Sequence, residues 1–229
     1  MLSAKMEDYL KAVYELQRRG GGPVATSAVA DALDVTAPTA TSMLESLAEK
    51  SLLDREKYRG VELTPEGETV ALEILRHHRL IETYLAERLG YDWSEVHDEA
   101  DRLEHHISEE FERRVADRLD DPEVDPHGDP IPADSLDPIA GVDGTTLADR
   151  QEGETVVVER VRDDDPDELA YLEESGITPG TTLAIEEIAP IGVTTVVPEG
   201  SEPIAVPDAI AGTILVTGAE ERREPNGLA

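Results

Sequence analysis

Cysteine is absent from the 229 residues, so neither a disulfide nor a thiolate metal site can form, and carboxylate and imidazole remain as the strong metal ligands. Any ion bound here is hard or borderline. Also missing is an apolar run approaching the roughly 18 residues of a spanning helix, and Glu7 and Asp8 stand where a signal sequence would carry its apolar core. The expectation is a soluble, cytoplasmic protein with no membrane partner. Lysine is scarce too. There are 4 Lys beside 16 Arg against 52 Asp plus Glu, for a formal net charge of −32.

A chain this acidic repels nucleic acid if the charge is spread evenly. It is not. Residues 1–60 hold 8 basic and 9 acidic side chains, residues 61–120 hold 7 and 17, and residues 121–229 hold 5 and 26. The first sixty residues have been spared. Elsewhere the excess runs over helices and loops alike, as on halophilic proteins, whose salt-saturated surroundings screen self-repulsion over a few ångströms. The length allows one or two domains, each of roughly 100 to 200 residues, with real hydrophobic cores.

Hydrophobic periodicity predicts a helix over residues 3–19, capped by Ser3, with Met6, Leu10, Val13 and Tyr14 on one face and Gly20, Gly21 and Gly22 at its end. Two short helices follow, about 26–33 and 38–50. Only Asp34, Val35, Thr36 and Ala37 separate them, with Thr36 as a cap and Pro38 in the first turn, which is helix-turn-helix spacing. Residues 52–55 and 61–63 flank a polar tip and read as a hairpin wing. Helices are then expected from Thr64 to about Leu89 and from about Ser94 to Leu119. Residues 120–150 are rich in Asp, Pro and Gly and read as a linker. Beyond them short strands at 155–161, 182–188, 193–197, 204–206 and 213–217 suggest a small β-barrel.

Five of the six histidines fall within residues 77–106. His97, Asp101, Glu104 and His105 are spaced to share a helix face, and His78 and Glu82 lie four apart on the preceding helix. Facing helices would gather O and N donors, which suits Mn(II) or Fe(II). Against this, a carboxylate four residues from a histidine is common in so acidic a chain. A di-iron carboxylate bundle fits poorly, because no histidine has Glu three residues before it. Thr36, Thr39, Thr41 and Ser42 can reach phosphates or base edges, or can be ordinary helix surface; Arg55, Lys57 and Arg59 concentrate positive charge on the wing tip.

Several stretches resemble the metal-dependent repressors typified by the diphtheria toxin repressor and the manganese transport regulator. They are Met6-Glu7-Asp8-Tyr9-Leu10, Lys57-Tyr58-Arg59-Gly60, Leu63-Thr64-Pro65-Glu66-Gly67, His78-Arg79-Leu80-Ile81-Glu82 and the run from Val96 to Ser108. The resemblance covers almost the whole chain. It implies a mainly α protein with small β parts: a winged helix-turn-helix DNA-binding domain (1–64), a helical metal-binding and dimerisation domain (65–122), a linker (123–150) and an SH3-like β-barrel (151–222). It further implies a homodimeric, DNA-binding repressor of metal-uptake genes that recognises a palindromic operator with Mn(II) or Fe(II) as co-repressor, and no enzyme. Carried onto this sequence, the regulatory site is Asp8, Asp101, Glu104 and His105. Both Asp8 and Asp101 are carboxylates where iron sensors have Met and Cys; Lys11 stands where manganese regulators have Glu. The second site is His78, Glu82 and His97, completed by Asp165 and Glu168. Near it, Arg79 matches an anion contact whose neutral partners are here Asp125 and Asp129. Thr36, Pro38, Thr39 and Ser42 match base-facing positions, and Arg55, Lys57 and Arg59 would meet phosphate. A metal-storage protein or a metalloenzyme with a purely structural helix-turn-helix is the alternative reading.

Overall fold

The computed structural model describes residues 2–56, 59–139, 144–162 and 165–219, in two compact units. The first unit comprises Met1–Ile81, Ala100–Glu123 and Ile131–Gly141. It opens with α1 (Ala4–Gly20), where Leu10, Val13 and Tyr14 of the predicted stripe are buried and Met6 is half-buried, and Tyr9 is buried beside them. Ser3 occupies the N-cap position. Its carbonyl, not its hydroxyl, accepts the first amides, from Met6 at 2.8 Å and Glu7 at 3.2 Å. Next come α2 (Thr26–Ala32) and α3 (Ala37–Glu49), the latter capped by Thr36, whose side chain accepts the Thr39 amide.

The wing is an antiparallel pair, β1 (Leu53–Glu56) and β2 (Gly60–Leu63), in register from Leu53 opposite Leu63 to Glu56 opposite Gly60. Val24 bridges to Val61 with both amide bonds made, at 2.8 and 2.9 Å, which ties the wing to the segment before α2. Gly60 has φ +110 and lies against the Val24 carbonyl, so any Cβ at this corner collides with backbone. One core joins these pieces: Leu10 and Val13 of α1, Val29 of α2, Leu44 and Leu47 of α3, Leu53 and Val61 of the wing, and Leu72 and Leu75. Each buried leucine contributes about 1.5–3 kcal/mol.

Leu72 and Leu75 belong to α4 (Pro65–Tyr84), whose first turn is capped by the Thr64 hydroxyl accepting the Gly67 amide at 3.1 Å. The helix expected over 94–119 is in fact two, α5 (Val96–Leu103) and α6 (Glu109–Arg118). The Ser108 side chain accepts the Phe111 amide and, with Glu109 and Glu110 in the first turn, starts a new helix. Glu104, His105 and His106 therefore form the turn between helices and do not continue a helical face.

The second unit comprises Glu82–Glu99, Val124–Pro130 and Val142–Ala229. Its sheet is antiparallel throughout, in the order β3 (Thr145–Thr146), β8 (Ile214–Gly218), β4 (Thr155–Val161), β5 (Thr182–Ala189), β6 (Val193–Pro198) and β7 (Ile204–Pro207). Bulges between Val158 and Arg160 and between Ile185 and Glu187 bend the strands, as a small SH3-like domain needs. Two helices, α7 (Pro166–Glu174) and α8 (Asp208–Ala211), accompany it, and Trp93, Leu147, Val158, Leu169, Leu172, Ile185 and Val196 share its core.

The stretch that reads as linker is built into both units, with Val124–Pro130 in the second and Ile131–Gly141 in the first. The Asp125 amide donates to the Asp129 carbonyl at 2.9 Å and closes a tight turn, with Gly128 at φ +89 against the Glu159 carbonyl. The Val161 amide donates to the His127 carbonyl at 2.9 Å and fixes this turn on β4.

Candidate metal centre and nucleic-acid face

On the recognition side, Thr36, Pro38, Thr39 and Ser42 are all exposed at the start of α3, as contact with base edges requires. The Thr36 and Thr39 hydroxyls lie 2.8 Å apart, and Thr41 turns inward to donate to the Ala37 carbonyl. On the wing, Arg55 is exposed and bonded to Glu45 at 2.5 Å, a surface pair that a phosphate can displace. Arg59 is exposed as well; Lys57 lies outside the described residues.

The metal-competent groups of the first unit collect where α1 meets the α5–α6 turn. Asp8, Glu104 and His105 each offer a ligand atom within 4.8 Å of the others. His105 Nε2 lies 2.7 Å from Asp8 Oδ1 and 3.3 Å from Glu104 Oε1, while its Nδ1 lies 2.8 Å from Glu7 Oε2. The last contact matters. An Nδ1–H donated to Glu7 leaves Nε2 for an ion, which is how a carboxylate behind the ring sets the tautomer of a metal-ligating histidine. Glu104 is buried and Asp8 half-exposed, so the site has a solvent side. Burial raises the Asp8 carboxyl above its usual value despite His105.

Asp101, expected as a fourth ligand, faces another group. Its Oδ1 takes the Lys11 ammonium at 2.9 Å and lies 3.3 Å from His78 Nδ1. Lys11 also spans both Glu104 oxygens at 2.9 Å, and His78 Nδ1 is 2.5 Å from Glu104 Oε2. Burial alone would lower the Lys11 ammonium, but Glu104 and Asp101 outweigh it and hold it above its ordinary value. Burial likewise would raise Glu104; His78 and Lys11 reverse this and keep it ionised below the usual carboxylate range.

In the second unit, Glu82, Asp125 and His127, all buried, also converge within 4.8 Å. His127 Nε2 donates a hydrogen bond to the Trp93 carbonyl at 3.2 Å, so in the neutral ring Nδ1 carries the lone pair. That Nδ1 is buried without a hydrogen-bond partner. A buried, unsatisfied imidazole acceptor beside two carboxylates is an arrangement that a divalent cation completes. Around it, His97 Nδ1 lies 3.2 Å from Glu82 Oε1, Asp125 accepts the His127 and Asp129 amides, and Asp129 pairs with Arg160 at 2.6 Å. Asp165 instead caps α7, accepting the Asp167 and Glu168 amides, and neither it nor Glu168 joins a converging ligand group among the described residues.

Five residues of these clusters escape the spacing argument as ligands or partners: Asp8, which the resemblance supplies, and Glu7, Lys11, Asp125 and His127. The signal for His127 was its isolation, as the one histidine outside the 77–106 cluster, between two aspartates in Asp125-Pro126-His127-Gly128-Asp129.

Comparison with known proteins matches residues 1–61 to the N-terminal DNA binding domain of iron dependent repressors, 64–133 to their metal binding and dimerisation domain, and 145–218 to the FeoA domain. The iron-dependent repressor IdeR of Mycobacterium tuberculosis is 33% identical over 222 residues, covering 92% of this chain and 95% of its own. The diphtheria toxin repressor of Corynebacterium efficiens is 36% identical over 188 residues, 78% and 81% of the two chains. A solved manganese-dependent transcriptional repressor in complex with manganese superposes with a TM-score of 0.84 at 34% identity, over 93% of this chain and 99% of that one.

Proposed function

This chain belongs to the iron-dependent repressor family and is a metal-dependent, DNA-binding transcriptional repressor served by Mn(II) or Fe(II), and from that premise we propose how its own residues couple the ion to DNA. Asp8, Glu104 and His105 hold the regulatory ion, with Glu7 orienting His105 and Asp101 contributing charge from beside Lys11. The observation that supports this is the meeting of Asp8, on the first helix of the DNA-binding segment, with His105 of the α5–α6 turn at 2.7 Å. Without an ion, Asp8 meets the His105 ring by a hydrogen bond and Glu104 is held by Lys11 and His78. A bound divalent cation adds positive charge between these ligands and fixes the distance between α1 and the helical segment.

The two recognition helices of a homodimer must sit one helical turn of DNA apart, roughly 34 Å, to occupy the half-sites of a palindromic operator. Fixing α1 fixes α3, because both lie in one core. Thr36, Pro38, Thr39 and Ser42 then face base edges, and Arg55, Lys57 and Arg59 face phosphate. A second ion is held in the other unit by Glu82, Asp125 and His127, where His97 bonds to Glu82. His78, Asp165 and Glu168 are supporting groups in this reading. Storage or metalloenzyme function is not favoured, since the matched domains are those of DNA binding and dimerisation.

The test is operator binding by fluorescence anisotropy in high KCl, with a metal-uptake promoter fragment and Mn(II) or Fe(II) added to chelator-treated protein. Affinity is expected to rise at least about 100-fold on addition of the ion, the size of a coupling near 3 kcal/mol. Equal affinity with chelator and with metal overturns the reading.

A further inference from the structure

Among the described residues, Lys11 is the one lysine drawn into a cluster of metal-ligating groups, and its ammonium is held as an ion would be. All three of its N–H donors are used: Asp101 Oδ1 at 2.9 Å and the two oxygens of Glu104, each at 2.9 Å. His78 Nδ1 lies 3.4 Å away on a further side. The lysine side chain is 14% exposed and that of Glu104 only 1%. Three carboxylate oxygens converging on one buried point, with the His78 ring beside them, are donors that suit a hard or borderline divalent cation, and here a covalently attached cation fills that point. The same Glu104 carboxylate also faces His105 in the Asp8–Glu104–His105 group.

We propose that Lys11 is a tethered cation that occupies a second ion position beside the regulatory centre, so that this centre takes a single divalent ion where its donors would otherwise hold two. The inference rests on the reading of Asp8, Glu104 and His105 as the regulatory ligands. Its ammonium neutralises Glu104 and Asp101 before any ion arrives and holds Glu104 in the rotamer that the neighbouring ion needs. It also repels a second dication from a point that it already fills.

Mn(II) binding to the full-length protein tests this by calorimetric stoichiometry and by electron paramagnetic resonance, which separates isolated from exchange-coupled ions. The wild type and Lys11→Arg are expected to give the same stoichiometry and isolated signals, with affinities within about threefold of each other. Lys11→Glu and Lys11→Gln are each expected to bind one further Mn(II) per chain with an exchange-coupled spectrum, the Gln variant serving should the Glu variant fail to fold. Native circular dichroism with no added ion in both variants overturns the proposal, as does a coupled pair in the wild type. Absence of Mn(II) and Fe(II) binding at this centre in every protein, wild type included, overturns the co-repressor reading instead.

Discussion

The two ligand clusters handle their negative charge differently. The Asp8–Glu104–His105 group is compensated from within, by the Lys11 ammonium on Glu104 and Asp101 and by an imidazole between Glu7 and Asp8, and Asp8 opens to solvent. The Glu82–Asp125–His127 group is buried, compensated by two backbone amides on Asp125 and an arginine on the neighbouring Asp129, and retains an unsatisfied imidazole nitrogen. In the proposed reading the first can stand with or without an ion, as a switch must. The second keeps an imidazole acceptor that a bound cation would satisfy, as a structural staple would need.

The strongest way to break this contrast is to remove one buried carboxylate from each cluster. Glu104→Ala is expected to lower metal-dependent operator affinity by at least about 100-fold. It also leaves Lys11 buried without its main partner, with a loss of about 3–5 kcal/mol in stability. Glu82→Ala is expected to leave operator affinity within about tenfold in excess metal. Anisotropy titrations and urea melts of both variants measure this, and the reverse order of effects would dissolve the distinction.

A gentler substitution sharpens it. His127→Phe keeps the ring volume against Trp93, 5.0 Å away, but removes Nδ1. Stabilisation by Mn(II) of the second unit is expected to fall by about 2.7 kcal/mol at an ion concentration 100 times Kd, read as a smaller metal-induced rise in Tm. A full metal-induced rise in the variant would remove His127 from the ligand set.

The smallest effect concerns the brace behind the first cluster. His77 lies 3.2 Å from Glu112 through Nε2 and 3.2 Å from the Glu104 carbonyl through Nδ1, holding the α5–α6 turn on α4. Burial alone would lower the His77 pKa, but Glu112 outweighs it and raises it above 6.5; the hydrogen bond from His77, ahead of burial, holds Glu112 below 4.5. The raised imidazole stabilises the fold below its ordinary pKa and loses this contribution as pH rises through the raised value. The depressed carboxyl stabilises above 4.5 and loses it as pH falls through the lowered value. Wild type is therefore expected to exceed His77→Gln by on the order of 1 kcal/mol at about pH 5–6, the gap narrowing toward about pH 9, in pH-dependent thermal melts. A gap that does not vary with pH would show that packing, not the ion pair, holds the turn.

Much of the architecture is legible in the sequence because local rules and burial agree there. The α1 stripe, the Thr36 cap and the β-branched run of Thr155–Val161 each satisfy propensity and packing at once. Two places mislead. The helical period continues through Glu104 and His105, and although Ser108 with Glu109 and Glu110 signals a new helix, no local feature shows that the turn before it meets Asp8, a contact spanning 97 residues. Residues 124–130 have linker composition, yet the same Pro and Gly make the tight turn that seats His127 on β4. Glu104 and His105 are singled out by spacing and by resemblance, Asp8 by resemblance alone, and the fold brings the three together. Asp101 is drawn away from them by Lys11, whose partner lies 90 positions along the chain and leaves no mark in local periodicity.

The Val24–Val61 bridge bears on how faithfully a signal at Asp8 arrives at DNA. With Gly60 pressed on the Val24 carbonyl, and α1, α3 and the wing sharing one set of buried leucines and valines, these described elements form one close-packed body. If Asp8 holds the regulatory ion as proposed, a displacement there is expected to move the recognition helix with it, which makes the stiffness of this core, as well as the ion's grip, a determinant of fidelity.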